Sequence, residues 1–369
     1  MKVLFNTGHT YLHGGIEKSI TERANYFAKQ PGYQVFILTT EQQNKPPCYP
    51  LDPNIKQIDL AINYNREKSY LTYENIRKGL KHYRAQKETI REIKPDVILS
   101  PNFNFDHYWL PFIKKEAKLI KERHNSFYAK QNGNQNKTLL QKVKNKFDTW
   151  IAEKYDHIVV LNKDEKAFVK SSNAVLIPNG IEITDQAAQL ENKKVIAAGR
   201  IAPVKRFDEL IAIWKKINEQ FPDWELHIYG QDYLNTTAQL CATINSFNLQ
   251  DKVVIKESVS NLPKVMQDYS VYVMTSATEC FPTVLLEALS VGLPIVSYNC
   301  PTGPKHIISD QEDGFLVKND NREAYVKSLS TLLENQNLRK KMGANAKRNI
   351  TRFEKEKMFK KWMELFGES

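Results

Sequence analysis

Cysteine is scarce in this 369-residue chain: Cys48, Cys241, Cys280 and Cys300 stand far apart, with no C-x-x-C pair. That spacing speaks against a zinc site or a disulfide framework and suits a reducing compartment. Long apolar runs are missing too; none approaches the roughly 18 residues that a membrane-spanning helix needs. The opening M-K-V-L-F-N-T-G turns polar too soon for a secretory signal and reads as a first strand. No D-x-D occurs, which weakens any scheme in which a divalent metal holds a diphosphate. A Walker A loop, a G-x-S-x-G elbow and the fingerprint G-x-G-x-x-G are absent as well. P-loop, α/β-hydrolase and dinucleotide chemistry therefore find no support. Short repeats and low-complexity segments are also lacking.

What is present is the length for two domains, each with its own core, and an ordinary globular balance of apolar and charged residues. The net charge of +11 is unevenly placed. Residues 1–180 carry 29 Lys and Arg against 18 Asp and Glu, whereas residues 181–369 carry 24 of each. The excess is densest from Arg66 to Lys94 and from Lys114 to Lys146. Such a patch attracts lipid head groups, a diphosphate-bearing acceptor or nucleic acid; a merely solvated face has the same composition.

Short apolar runs alternate with amphipathic segments throughout. In the first half the strand candidates are K-V-L-F-N-T, Q-V-F-I-L-T-T, D-V-I-L-S, K-L-I-K-E-R, H-I-V-V-L-N and A-V-L-I-P-N. In the second they are K-V-I-A-A-G, E-L-H-I-Y-G, V-V-I-K-E, V-Y-V-M-T-S, P-I-V-S-Y-N and G-F-L-V. Strands alternating with helices imply parallel sheets with right-handed crossovers, and two such sets imply two Rossmann-like domains of α/β class. I-P-N-G-I, from Ile177 to Ile181, marks the boundary. Phe353, Met358, Phe359, Trp362, Met363 and Phe366 form one stripe on a terminal helix, which suits core packing and a strap back onto the first domain alike.

Open parallel sheets bind ligands beyond the carboxyl ends of their strands, so the residues just after each strand carry the interest. After V-Y-V-M-T-S comes E-C-F-P-T-V-L-L-E, Glu279 to Glu287. Pro282 suits the first turn of a helix, whose free N–H groups make an anion site with one carboxylate on each side. Carboxylates accept hydrogen bonds from sugar hydroxyls, so a nucleotide-sugar would fit. Read alone, the two glutamates also suit a loop and a helix surface. After K-V-I-A-A-G come Arg200 and Lys205, a fork and a point charge that suit a diphosphate, or simply a solvated basic loop. After K-V-L-F-N-T, Gly14 and Gly15 precede a helix beginning near Ile16, as ligand-approach or turn glycines. His124 ends K-L-I-K-E-R-H, where it could meet a reacting sugar or a loop hydrogen-bond partner.

In this order, G-G-I-E-K (Gly14–Lys18), R-H-N (Arg123–Asn125), G-R-I-A-P-V-K (Gly199–Lys205), E-C-F-P-T-V-L-L-E and C-P-T-G-P-K-H-I-I (Cys300–Ile308) resemble the retaining GT-B-fold glycosyltransferases with an E-x7-E motif. That family builds bacterial polysaccharides and lipid-linked glycans. Each motif is weak by itself; the ordered set spans nearly the whole chain.

The resemblance implies an acceptor-binding domain over 1–180 and a nucleotide-sugar domain over 181–350. The two would face each other across a cleft, with a helix over 351–369 returning to the first domain. It implies a nucleotide-sugar donor, often UDP-linked, as co-substrate, with no cofactor and no metal. Arg200 and Lys205 would stabilise the leaving diphosphate, Glu279 would contact the hexose, and Glu287 the ribose. The backbone of Phe281, Pro282, Thr283 and Val284 would line the diphosphate, Gly15 would approach the donor, and His124 would lie beside the transferred sugar. Retention would follow from same-face attack, the donor phosphate helping to deprotonate the acceptor. The expected partners are a saccharide or lipid-diphosphate-linked acceptor and an anionic membrane surface met by the basic half, with no nucleic acid; the expected place is the cytoplasmic membrane face. Two positions depart from the family pattern: Cys280 replaces its usual glycine, narrowing the sugar pocket, and His306 replaces its frequent glutamate. An epimerase or phosphorylase on the same fold, or a non-catalytic anion or nucleic-acid binder, are the rival functions.

Overall fold

The apolar runs become the strands of two all-parallel sheets. The computed structural model describes residues 1–12, 14–101, 104–124, 126, 139–169 and 171–367. They fall into two units, one taking in 1–124, 139–177 and 359–367, the other 126 and 178–358.

The first unit holds seven strands: β1 (Lys2–Thr7), β2 (Gln34–Thr39), β3 (Lys56–Asp59), β4 (Val97–Ser100), β5 (Lys118–Arg123), β6 (His157–Val160) and β7 (Ala174–Leu176). Their order is β3-β2-β1-β4-β5-β6-β7. Alternation along β1 sends successive side chains to opposite faces. Val3 and Phe5 meet Ile20, Ala24 and Phe27 of the helix Gly15–Ala28. Leu4 meets the other layer, with Ile90, Leu110 and Ile151. The first face is completed by the end of the chain: Phe359, Trp362 and Phe366 bury there, and the Phe366 ring centroid lies 5.2 Å from that of Phe27. Lys118 Nζ donates to the carbonyls of Leu365 and Phe366. The helix Lys355–Phe366 is thus shared, because Met358 and the residues before it belong to the second unit.

The second unit holds β8 (Lys194–Ala198), β9 (Glu225–Tyr229), β10 (Val253–Lys256), β11 (Val271–Met274), β12 (Ile295–Tyr298) and β13 (Gly314–Val317), in the order β10-β9-β8-β11-β12-β13. The helix Phe207–Gln220 buries Leu210, Ile211, Trp214 and Ile217 against Val195, Ala197, Leu226 and Val271. In both units the strand order reverses beside the first strand, between β1 and β4 and between β8 and β11. Crossovers leave in opposite directions at such a point, and the crevice between them is where open α/β sheets take their ligands. Among the described residues no helix is long and apolar enough to cross a membrane.

Candidate active site

The switch point of the second unit is built by three loops that are stitched together. The first follows β8. Gly199 has φ +152°, and a Cβ there would meet Lys205 Cε at 3.2 Å. Gly230, after β9, comes so close that its Cβ would lie 2.0 Å from the Gly199 carbonyl oxygen. Glycine at both positions lets two strand ends approach while the Lys205 stem folds back over them. A single turn, Pro203–Lys205, then aims the lysine.

The second loop follows β11. Thr275 Oγ1 donates to the carbonyls of Lys205 and Arg206 at 3.1 and 2.9 Å, and Ala277 N–H donates to Val204 at 2.8 Å. Lys205 Nζ reaches Glu279 Oε1 at 2.6 Å, a charge-assisted bond. The third loop, after β12, fixes the Glu279 backbone from both sides: Glu279 N–H donates to Pro301 at 2.7 Å, and Thr302 N–H donates to Glu279 at 2.6 Å. The lysine and glutamate side chains are 19% and 14% exposed, so the pair is rigidly supported yet open to a ligand. In the same loop, burial and then the nearby Glu279 carboxylate push the Cys300 thiol up to about 12. It stays protonated and is no nucleophile at neutral pH.

The helix Thr283–Ser290 starts directly beyond. Pro282 is its N-cap and not, as the sequence suggests, part of the first turn. The Pro282 carbonyl already accepts from Leu285 N–H at 3.0 Å, and the ring spares an N–H in either place. No side chain caps this helix start, so its N-terminal partial positive charge is left for a ligand. Thr283 and Val284 are half-buried; Phe281 is buried edge-on to Phe353, at 5.5 Å between centroids. Glu287 is buried on the second turn, 6% exposed. Cys280 is buried as well, under the loop after β12: a Cβ on Gly303 would meet the Cys280 carbonyl oxygen at 3.0 Å. His306 sits in the short turn Pro304–His306. Arg200 stands apart from the ion pair, exposed, with its guanidinium 5.2 Å above the Tyr233 ring.

In the first unit, the helix Gly15–Ala28 also begins without a side-chain cap, after an extended Gly14. A Cβ on Gly15 would meet nothing within 4 Å, so the fold itself does not require glycine there. His124 lies at the end of β5, where its Nε2 donates to Glu122 Oε2 at 2.9 Å. Glu122, 1% exposed, also accepts from Arg23 at 2.6 Å. Burial alone would raise this carboxyl; the Arg23 guanidinium and the His124 bond outweigh it and bring it down to about 2. Glu122 is therefore an ionised anchor that orients the imidazole. Period-two alternation already places Glu122 and His124 on one side of β5; nothing local points to Arg23. Asn125, the third residue of the R-H-N motif, lies outside the described residues.

Comparison with known proteins bears on the fold and the class of enzyme. Residues 181–349 match the family described as Glycosyl transferases group 1, and residues 13–185 match Glycosyltransferase Family 4. The two matches together take in most of the chain, and with its paired Rossmann-like sheets it belongs to the glycosyltransferases of GT-B fold. An uncharacterized glycosyltransferase of Haemophilus influenzae is 29% identical over 363 residues, 95% of each chain. A Campylobacter jejuni protein is 25% identical over 380 residues, 100% of this chain and 99% of its own. It is described as GalNAc-alpha-(1->4)-GalNAc-alpha-(1->3)-diNAcBac-PP-undecaprenol alpha-1,4-N-acetyl-D-galactosaminyltransferase. Among solved structures, a mutant of S. aureus TarM in complex with fondaparinux, alpha-GlcNAc-glycerol and UDP matches over 100% of both chains, with TM-score 0.76 and 16% identity.

Proposed function

We propose that this chain is a retaining hexosyltransferase of cell-surface glycan synthesis. It takes a sugar from a UDP-linked donor and adds it to a lipid-diphosphate-linked saccharide at the cytoplasmic face of an anionic membrane. The observation that carries this reading is the Lys205–Glu279 pair, 2.6 Å apart at a sheet switch point and followed by an uncapped helix start. A donor laid there meets an ammonium and helix N–H groups at its diphosphate and a carboxylate at its sugar. As the glycosidic bond breaks, negative charge grows on the departing phosphate, and fixed positive groups stabilise that change without reorganising. Arg200 leaves Tyr233 to join Lys205 on the diphosphate, so the charge is met by protein groups and no metal is invoked. Glu287 takes the ribose hydroxyls, the backbone of Phe281 to Val284 lines the phosphates, and Gly15 admits the donor. His124, steadied by Glu122, contacts the transferred sugar. The acceptor hydroxyl attacks from the leaving-group face and passes its proton to the donor phosphate, which preserves the anomeric configuration. The undecaprenol-linked acceptor named for the Campylobacter jejuni relative and the UDP bound in the TarM structure support the choice of partners.

The test is a panel of UDP-sugars with a lipid-diphosphate saccharide, reading transfer, donor hydrolysis and product anomer. Lys205→Ala and Glu279→Ala each should lower turnover by about a hundredfold or more while the melting temperature holds. Full turnover in either variant removes that residue from the mechanism. Donor isomerised without acceptor would mean an epimerase, and no transfer or hydrolysis across the panel would end the proposal.

A further inference from the structure

The helix Lys355–Phe366 buries Phe359, Trp362 and Phe366 in the first unit's core, and one of these rings does more than fill space. Phe359 lies 4.5 Å from Tyr26, and Phe366 lies 5.2 Å from Phe27, between ring centroids. Trp362 also meets a charge: the Arg23 guanidinium sits 4.4 Å over its ring. Phe5 is a second ring near that cation, but at 5.9 Å it is close to the limit of about 6 Å for such attraction. Arg23 is 3% exposed, and loss of water is the condition that makes a cation–π contact strong. The edge of the guanidinium is hydrogen-bonded. Its Nε donates to the Ser19 carbonyl at 3.2 Å, and its Nη2 to Glu122 Oε2 at 2.6 Å. His124 Nε2 donates to that same oxygen at 2.9 Å. Glu122 Oε1 is buried with no hydrogen-bond partner among the described residues. The carboxylate is therefore held through one oxygen, shared by guanidinium and imidazole, and a tilt of the first displaces the acceptor of the second.

We propose that Trp362 is a positioning residue for His124, acting through Arg23 and Glu122. The indole face fixes the plane of the guanidinium, and the guanidinium fixes Glu122 Oε2. A carboxylate oxygen can only accept, so it holds the imidazole with a proton on Nε2 and leaves the lone pair of the neutral ring on Nδ1. An aliphatic side chain could fill the space of Trp362, but it offers no electron-rich face to a cation. The use of this relay in the reaction rests on the sugar contact proposed above for His124; the placement of the imidazole does not.

Nitrogen NMR of the histidine side chains in the full chain tests it, with His124→Gln identifying the peaks. The parent should show His124 as the tautomer protonated on Nε2. Trp362→Leu should shift or broaden those peaks and raise the KM for the UDP-sugar about threefold or more. Trp362→Phe keeps a ring face and should bring both readings back towards the parent. Phe359→Leu takes a ring of the same helix away from Tyr26 and Phe27 while leaving the one over Arg23. It should lower the melting temperature and leave the His124 peaks in place. A variant that is merely less folded loses kcat per mole of chain and keeps its KM. Trp362→Met fills more of the space and serves the same purpose if the leucine variant does not fold. Two results would overturn the proposal: His124 peaks unmoved when Trp362 is replaced by an aliphatic residue, or moved as far by Phe359→Leu. Peaks that move while the donor KM stays would keep the relay and remove His124 from the sugar, so the two readings fail separately.

Discussion

Replacing Arg23 with methionine should unfasten the first unit from inside. The substitution keeps most of the apolar stem, whose guanidinium lies 4.4 Å above the Trp362 ring, and removes the charge paired with Glu122. Glu122 is then left with His124 alone, in a site where the carboxyl is 1% exposed. Two routes give the cost. A carboxyl drawn from its ordinary 4.5 to about 2 by folding contributes about 3 kcal/mol at neutral pH. Removing one partner of a buried pair costs about 3–5 kcal/mol in general. The first unit should therefore lose about 3–5 kcal/mol at pH 7. Because the folded carboxyl is the stronger acid, its contribution is full above 4.5 and drains away as pH falls towards 2. The gap between parent and variant should shrink over that same window. Amide hydrogen exchange along β5 is the suitable assay, since it reads the opening of one region in a chain of two units. Arg23→Met with Glu122→Leu should recover part of the loss, because the stranded charge is gone. If the β5 amides of Arg23→Met stay within about 1 kcal/mol of the parent at pH 7, the pair is not the fastener described here.

Two glycines should separate structural from functional need. Gly230→Ala puts a Cβ against the Gly199 carbonyl; a loss of about 1–3 kcal/mol by thermal or chemical unfolding is expected, with a weaker donor-induced shift in melting. Gly15→Ala meets no atom within 4 Å, so melting should hold or rise slightly while transfer falls; unchanged transfer would show that no donor approaches there.

Most of the fold was legible because buried parallel strands advertise themselves. V-Y-V-M and I-V-S-Y are buried at every position, as near-continuous apolar runs are in strands covered on both faces. β3 carries no such run. K-Q-I-D lies at the sheet edge, largely exposed, and becomes a strand only through its pairing with β2. The site divides in the same way. Motif order picks out Lys205 and Glu279, 74 positions apart, but not that they touch. That contact depends on Thr275, whose hydroxyl holds the Lys205 and Arg206 carbonyls, and on Pro301 and Thr302, which hold the Glu279 backbone; such scattered hydrogen bonds leave no pattern in sequence. Arg23 and Glu122 were the least readable. Each looks like an ordinary surface charge, and only the closed sheet brings residues 99 apart into one dry place.

The shared terminal helix has a consequence for how the chain is made. Phe359, Trp362 and Phe366 complete a face of the first sheet, yet they emerge from the ribosome after every residue of the second unit. While residues 178–358 are being synthesised and folded, Phe5, Ile20 and Phe27 wait without their last cover. Domains usually fold in order of synthesis, N-terminal first. Here the earlier unit is finished last, after the whole of the second has been synthesised.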